Sequence, residues 1–146
     1  MRNILMPIFL IGLLGACTVE NELPNKPEIS IVSVHPTEIT EYQDVIKVVL
    51  AYTDGDGNLG FSNPDSNALR VWDDRLSSPD WYHVQPLAPP GEKISIQGEL
   101  TVNLSGTFVL SSTADQETTR FRIKIKDRNG NWSNEVITPL ITINRE

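Results

Sequence analysis

The sequence has a single cysteine, Cys17, among its 146 residues. A disulfide within the chain is therefore excluded, although small exported proteins often depend on such cross-links. Histidine is also scarce, because His35 and His83 stand alone and far apart in the sequence. No Gly-x-Ser-x-Gly, Ser-x-x-Lys, His-Glu-x-x-His or phosphate-binding glycine motif occurs. The sequence thus predicts a protein without enzymatic activity, whose stability comes from its hydrophobic core.

Basic residues are outnumbered, since 12 Lys and Arg stand against 19 Asp and Glu, a formal net charge of −7. Removal of Arg2 with an N-terminal leader would make the chain one unit more negative. An acidic surface repels nucleic acid and anionic lipid head groups. The composition therefore predicts no nucleic-acid partner and is compatible with cations, carbohydrate and protein partners.

Long apolar runs are missing except near the start, where the 13 residues at positions 4–16 are almost wholly apolar. A membrane-spanning helix takes roughly 20 such residues. A charged start, a short apolar run and small residues before a cut site are typical of a secretory signal. Leu14-Gly15-Ala16-Cys17 resembles the lipobox of bacterial lipoproteins. That resemblance implies cleavage before Cys17 and attachment of lipid to it. An ordinary signal peptide is the alternative.

These features predict a lipoprotein signal peptide at 1–16, a lipidated tether at 17–26 and one folded domain at 27–146. The tether is polar, acidic and interrupted by proline, so it cannot build a core. In lipoproteins, Asp after the acylated cysteine often favours the inner membrane, so Thr18 favours a lipid anchor in the outer membrane. Glu20 and Glu22 resemble the short acidic export signal of Bacteroidetes-type surface lipoproteins.

Beyond Pro27 most of the chain alternates apolar and polar residues with a period of two. The clearest example has Phe121, Ile123 and Ile125 on one face and basic residues on the other. This pattern predicts an all-β fold, an Ig-like antiparallel β-sandwich of about seven or eight strands, with Pro139 at an edge or a bulge. The predicted strands lie near residues 29–34, 45–52, 69–72, 81–87, 93–104, 108–110, 119–126 and 136–143.

Two segments carry a family resemblance. FRIKIKDRNGNWSNEV at 121–136 resembles the penultimate strand, tight turn and final strand of bacterial Ig-like and fibronectin type III-like domains. Together with the lipobox, YTDGDGNLG at 52–60 resembles small Bacteroidetes-type lipoproteins. The resemblance covers about a third of the chain. It implies a fold and a location in the cell envelope, and it implies no activity.

The DGDGN segment is the sharpest candidate for a ligand site. Calcium takes six to eight oxygen ligands, and Asp54, Asp56 and Asn58 match the first three ligand positions of an EF-hand loop. Leu59 replaces the EF-hand glycine and Asp65 replaces the closing glutamate, so the segment is not an EF-hand. The same residues also suit a tight turn. The sequence leaves the calcium loop and the plain turn as alternatives.

Topology adds ligands to this candidate calcium site. In an Ig-like sandwich the loop after the second strand and the loop before the last strand lie at the same pole. Loops 53–67 and 127–134 would then meet, bringing Asp127, Asn129 and Asn131 towards the carboxylates of the first loop. The two loops would form either a calcium site or an acidic ligand-binding tip.

Aromatic residues make up only 7% of the sequence. On a loop, an aromatic side chain can stack on a sugar or anchor a protein partner, but tryptophan is more often buried. We therefore expect Trp72, Trp81 and Tyr82 to pack in the core. Trp132 is expected to be partly exposed and is the candidate binding residue.

Three classes of function remain open. The favoured one is a non-catalytic binding, adhesion or accessory module with an envelope protein or a glycan as its partner. The second is a structural subunit of an envelope complex, with a partner paired to an exposed edge strand at 136–143. The third is a small hydrolase that uses two carboxylates. Asp73 and Asp74 are a pair only in sequence, because adjacent strand residues face opposite sides.

Overall fold

The computed structural model of this protein describes residues 23–89 and 91–146, which form strands and loops. The predicted signal peptide at 1–16, the predicted lipidation site Cys17 and most of the predicted tether lie outside the described residues. The strands are β1 (Glu28–His35), β2 (Glu38–Thr40), β3 (Ile46–Asp54), β4 (Leu69–Asp73), β5 (Asp80–Tyr82), β6 (Ile96–Leu104), β7 (Gln116–Thr119), β8 (Phe121–Ile125), β9 (Val136–Ile137) and β10 (Ile141–Asn144). In this part of the chain we find no helix with the length and apolar character that crossing a membrane requires.

The strands form the two layers of a sandwich. In the first layer β3 lies between β1 and β6, and both pairs are antiparallel. In the second layer β5, β4, β8 and β9 form one sheet in that order, and β7, β10 and β2 form another. β10 runs antiparallel to β7 and parallel to β2. One parallel pair is therefore present in an otherwise antiparallel fold.

Two strands of the second layer are interrupted. Arg120 separates β7 from β8, and residues 138–140, which include Pro139, separate β9 from β10. Thr138 spans this break, because its amide donates to the Phe121 carbonyl at 3.0 Å and its hydroxyl accepts the Phe121 amide at 3.0 Å. Counting each interrupted strand once gives eight strands, and the predicted antiparallel β-sandwich is confirmed.

Alternation along the strands builds the core. Phe121, Ile123 and Ile125 of β8 point inward as predicted, and Ile46 and Val48 of β3 are fully buried opposite them. Burial of one such side chain contributes about 1.5–3 kcal/mol to stability. Since the single cysteine leaves the domain without a disulfide, this apolar layer carries the stability of the fold.

Several strand predictions are wrong, and one of them is the strand at 81–87, which ends at Tyr82. Residues 108–110 form no strand, because the amides of residues 109–111 donate to the carboxylates of Glu41 and Glu117 at 2.7–3.0 Å instead of to a neighbouring strand. The last strand is not an exposed edge along its length, because β10 is paired on both sides. The partner-binding edge predicted at 136–143 is therefore closed over its second half.

Candidate functional site

Two loops meet at one end of the sandwich, which we call the loop pole. They are the β3–β4 loop (55–68) and the β8–β9 loop (126–135). Leu59 and Asp127 form an isolated antiparallel bridge between them. Arg128 donates its amide and its guanidinium to carbonyl oxygens of the first loop at 2.8–3.3 Å. The two loops that the sequence places at a common pole therefore pack directly on each other.

Three side chains of the DGDGN segment form a group that we call the oxygen cluster: Asp54, Asp56 and Asn58. Asp54 is fully buried at the end of β3, and its Oδ2 accepts the Asn58 amide at 2.8 Å. Asn58 Nδ2 donates to Asp56 Oδ2 at 2.9 Å. The Oδ1 atoms of all three side chains are buried without a hydrogen-bond partner among the described residues. The cluster thus holds three buried acceptor oxygens that no donor satisfies.

The charge state of Asp54 reflects this environment. Burial raises the pKa of Asp54, and backbone hydrogen bonds from Asn58 and Leu59 oppose that rise only in part. The negative charges of Asp56 and Asp127 raise the pKa of Asp54 further. An ionised carboxylate without a positive partner is costly in a buried site. The loop pole therefore favours the uptake of a proton or a cation that neutralises the Asp54 carboxylate.

Glycines let the backbone fold tightly around the oxygen cluster. Gly57 has a φ of 68°, and a Cβ on it would lie 2.5 Å from the Ile94 carbonyl oxygen. Gly55 donates its amide to the Pro24 carbonyl at 2.8 Å, and a Cβ there would collide with that backbone. The tight-turn interpretation accounts for these glycines. It does not account for the unpartnered oxygens.

The other predicted ligands occupy different positions. Asp127 is fully buried, and its two oxygens accept the amide and the side chain of Asn131 at 2.7 and 2.8 Å. Asn129 Nδ2 lies 3.4 Å from Asp56 Oδ2, at the rim of the oxygen cluster. Asp65 is exposed in the outer part of its loop. Within 23–89 and 91–146, no three His, Cys, Asp or Glu side chains form a group able to hold a metal ion.

A second candidate site lies on the outer face of the second layer. We call it the tryptophan cluster: Trp72, Trp81, Trp132, Arg70 and Lys126. The Trp81 and Trp132 rings have centroids 5.9 Å apart. The Arg70 guanidinium lies 5.7 Å from the ring centroids of both Trp72 and Trp132, and Lys126 Nζ lies 5.5 Å from that of Trp132. Indole rings and cations therefore alternate across this face, at distances where cation–π attraction operates.

The prediction that Trp72 and Trp81 lie in the core is wrong. Leu69 and Val71 of β4 are buried, so Trp72 points to the opposite side of the sheet. Trp81 pairs with Arg70 across β4 and β5 and is 46% exposed. Tyr82, one residue further, packs against the core as expected. Strand parity decides the outcome, since large size alone does not turn a side chain inward.

The charge around the tryptophan cluster differs from that of the whole chain. Arg122 donates to Asp74 at 2.6 Å and lies 3.4 Å from Glu135, and Arg70 donates to Glu135 at 2.9 Å. Lys124 lies beside Arg70 in the β4–β8 ladder and takes part in no ion pair within the described residues. This face therefore carries an excess of basic groups on an acidic protein.

The adjacent carboxylates of β4 do not share a site. Asp73 is 5% exposed and forms an ion pair with Arg75 at 2.7 Å, while Asp74 is exposed and bonds to Arg122. His83 Nδ1 lies 2.8 Å from the Ser66 carbonyl oxygen. Asp73 and Asp74 therefore do not face one substrate, as the parity of strand residues predicts.

Comparison with known proteins assigns this chain to no family. No protein-family model matches the chain, and no curated protein matches it. A crystal structure of a mutant of the SrpA adhesin from Streptococcus sanguinis is similar at a TM-score of 0.33 and 17% identity. The match covers 83% of this chain and 57% of that chain, so this chain spans little more than half of the adhesin's length. No residue role follows from a likeness of that size.

Proposed function

We propose that this chain is a non-catalytic binding module of the cell envelope that binds an acidic polysaccharide on its tryptophan cluster. The observation that carries the proposal is the cluster itself. Three indole rings and two cations share one outer sheet face of a protein whose net charge is −7.

The exposure of these indoles supports a binding role. A tryptophan left in water forgoes the stability that its burial would contribute. Trp81 is nevertheless 46% exposed and lies against Trp132, so the two rings form a continuous aromatic surface. Tryptophan and arginine are the residues most enriched among the strongest contacts of binding surfaces. A ligand that stacks on the rings would remove them from water.

The charge and shape of the face favour an anionic polymer. Lys124 and Lys126 attract carboxylate or sulfate groups by their charge, whereas Arg70 is already paired with Glu135. The depression beside Trp72 has a volume of about 170 Å³, whereas pockets for small molecules usually measure roughly 300–1,000 Å³. An open and basic face without a deep pocket suits a chain of uronic acid sugars better than a compact small molecule.

The proposed place of this module is the outer membrane, where lipid on Cys17 would anchor it. The lipobox at 14–17 supports the anchor, and Thr18 after the cysteine supports the outer over the inner membrane. The described chain starts at Leu23, and Pro24 bonds to Gly55 at the loop pole. A module held this way would keep the loop pole close to the cell surface.

Affinity electrophoresis in gels containing polygalacturonate tests the proposal, with gels containing dextran as the neutral polymer. We expect the wild-type chain to be retarded by polygalacturonate, and we expect Trp132→Ala to weaken that binding about tenfold, roughly 1.4 kcal/mol. Added salt should weaken it further, because exposed charges are screened.

The matched control is Phe108→Ala, which removes an exposed aromatic residue that stacks on Tyr42 at the other end of the sandwich. This variant should bind polygalacturonate like the wild type. Equal retardation in both polymers, or equal losses in the two variants, would contradict the proposal. Capture of an envelope protein that depends on Trp132, without any polysaccharide binding, would assign the face to a protein partner.

A further inference from the structure

We propose that the oxygen cluster of Asp54, Asp56 and Asn58 binds a calcium ion. The proposal is independent of polysaccharide binding, because the oxygen cluster shares no residue with the tryptophan cluster. It stands on one feature of the described chain, namely three buried side-chain oxygens that lack any donor.

The three oxygens belong to one connected group. Asn58 donates its amide to Asp54 and its side-chain nitrogen to Asp56, so it holds both aspartates against itself. Asp54 is 0% exposed and Asn58 is 8% exposed. Each of the three side chains therefore uses one polar atom for the loop and keeps Oδ1 for another ligand.

A cation satisfies this group better than a proton or water does. A proton would neutralise one aspartate and leave the second charge in place. Water would donate to two oxygens without neutralising either charge. A divalent cation neutralises both carboxylates and coordinates all three oxygens, which removes the cost of burying them.

Calcium is the divalent cation that suits these ligands. It takes oxygen ligands only, including amide oxygens, and tolerates irregular geometry, whereas magnesium demands a near-ideal octahedron. Backbone carbonyls and water would complete the six to eight ligands that calcium takes. The described residues contain no group of three acidic or histidine ligands, so two carboxylates and one amide oxygen would carry the proposed site.

Charged residues near the oxygen cluster act on calcium binding in opposite directions. Asp127 adds negative charge beside Asp54. Arg128 places its guanidinium on carbonyl oxygens of the same loop, and Lys93 lines the depression of about 340 Å³ next to Asp56. These cations offset part of the attraction for calcium. We therefore expect an affinity of about 10⁻⁴–10⁻³ M, the range of extracellular calcium modules.

Thermal melting of the full chain in detergent tests the site. We expect 10 mM calcium to raise the Tm by at least about 4 °C relative to EDTA, because a ligand that binds only the folded state stabilises it by mass action. Magnesium should raise the Tm less. In EDTA, Asp54→Asn should melt at or above the wild-type temperature, since it removes a buried charge, and calcium should no longer shift it.

The matched control is Asp65→Asn, which removes an exposed carboxylate from the same loop and should keep the full calcium shift. Calorimetric titration of Asp56→Asn with calcium gives a second readout and should show no heat of binding. An unmoved wild-type Tm at 10 mM calcium would overturn the proposal. A calcium shift that survives in Asp54→Asn, or a larger response to magnesium than to calcium, would overturn it as well.

Discussion

Asp54 and Asp73 are buried carboxylates at the ends of two consecutive strands, and their pKa values move in opposite directions. Burial raises the pKa of Asp54. Burial also acts to raise the pKa of Asp73, but hydrogen bonds from Arg75 and Thr119 outweigh it and lower the pKa. Arg75 lies two residues after Asp73 in the same turn. Its guanidinium contacts Asp73 at 2.7 Å and Glu117 at 2.8 Å. A guanidinium satisfies one buried carboxylate, and the loop around the other supplies no cation to it.

The Asp73–Arg75 pair should be required for stability. Arg75→Met should lower the free energy of unfolding at pH 7 by about 3 kcal/mol, because Asp73 would remain as an uncompensated buried charge. Urea denaturation measures this loss. Arg122→Met removes a more exposed pair with Asp74 and serves as the control, which should cost much less. Equal losses in the two variants would show that burial does not govern these pairs.

The same pair predicts a pH dependence. The folded-state pKa of Asp73 lies below its ordinary value of 3.8, so the ion pair contributes its full stability above that value. Its contribution is lost as the pH falls through the folded-state pKa and Asp73 takes up a proton. The stability difference between wild type and Arg75→Met should therefore shrink below about pH 4.

At the scale of strands, Thr138 joins the interrupted halves of the second layer. It is fully buried, and both its amide and its hydroxyl bond to Phe121 across the break at Pro139. Thr138→Val keeps the shape and removes the acceptor for the buried Phe121 amide. We expect a loss of about 1–3 kcal/mol in urea denaturation.

Thr142→Val is the control for this prediction. Thr142 lies in β10, and its hydroxyl makes no side-chain hydrogen bond within the described part of the chain. The control should change the free energy of unfolding by less than about 0.5 kcal/mol. A similar loss in both variants would mean that the threonine hydroxyls do not hold the two halves of the layer together.

Strand parity explains how much the sequence could predict. The alternation in β3 and β8 follows from residue types alone, and the meeting of the two loops at one pole follows from the sandwich topology that this alternation predicts. The pairing of Trp81 with Trp132 could not be predicted, because it depends on which strand lies beside β4. The unpartnered oxygens of the DGDGN segment could not be predicted either, because the same residues also suit a tight turn in which every polar atom is hydrogen-bonded.

At the scale of the molecule, the two ends of the sandwich differ. Pro24 bonds to Gly55 at the loop pole, where β3 ends. Glu146, at the other end of the described chain, bonds to Glu41 ahead of the start of β3. A nine-residue strand is about 30 Å long. A lipid tether at the N-terminal side would therefore hold the loop pole near the membrane and the Tyr42–Phe108 pair away from it.

The proposed anchor predicts where the protein is found. Cys17→Ser should move the chain from the membrane fraction to the soluble fraction, because removal of the acylated residue removes the hydrophobic anchor. Thr18→Asp keeps the cysteine and should shift the chain from outer-membrane to inner-membrane fractions on a sucrose gradient. Mass spectrometry of the membrane form should find lipid on Cys17. A membrane form of the wild-type chain that carries no lipid on Cys17 would contradict a lipid anchor.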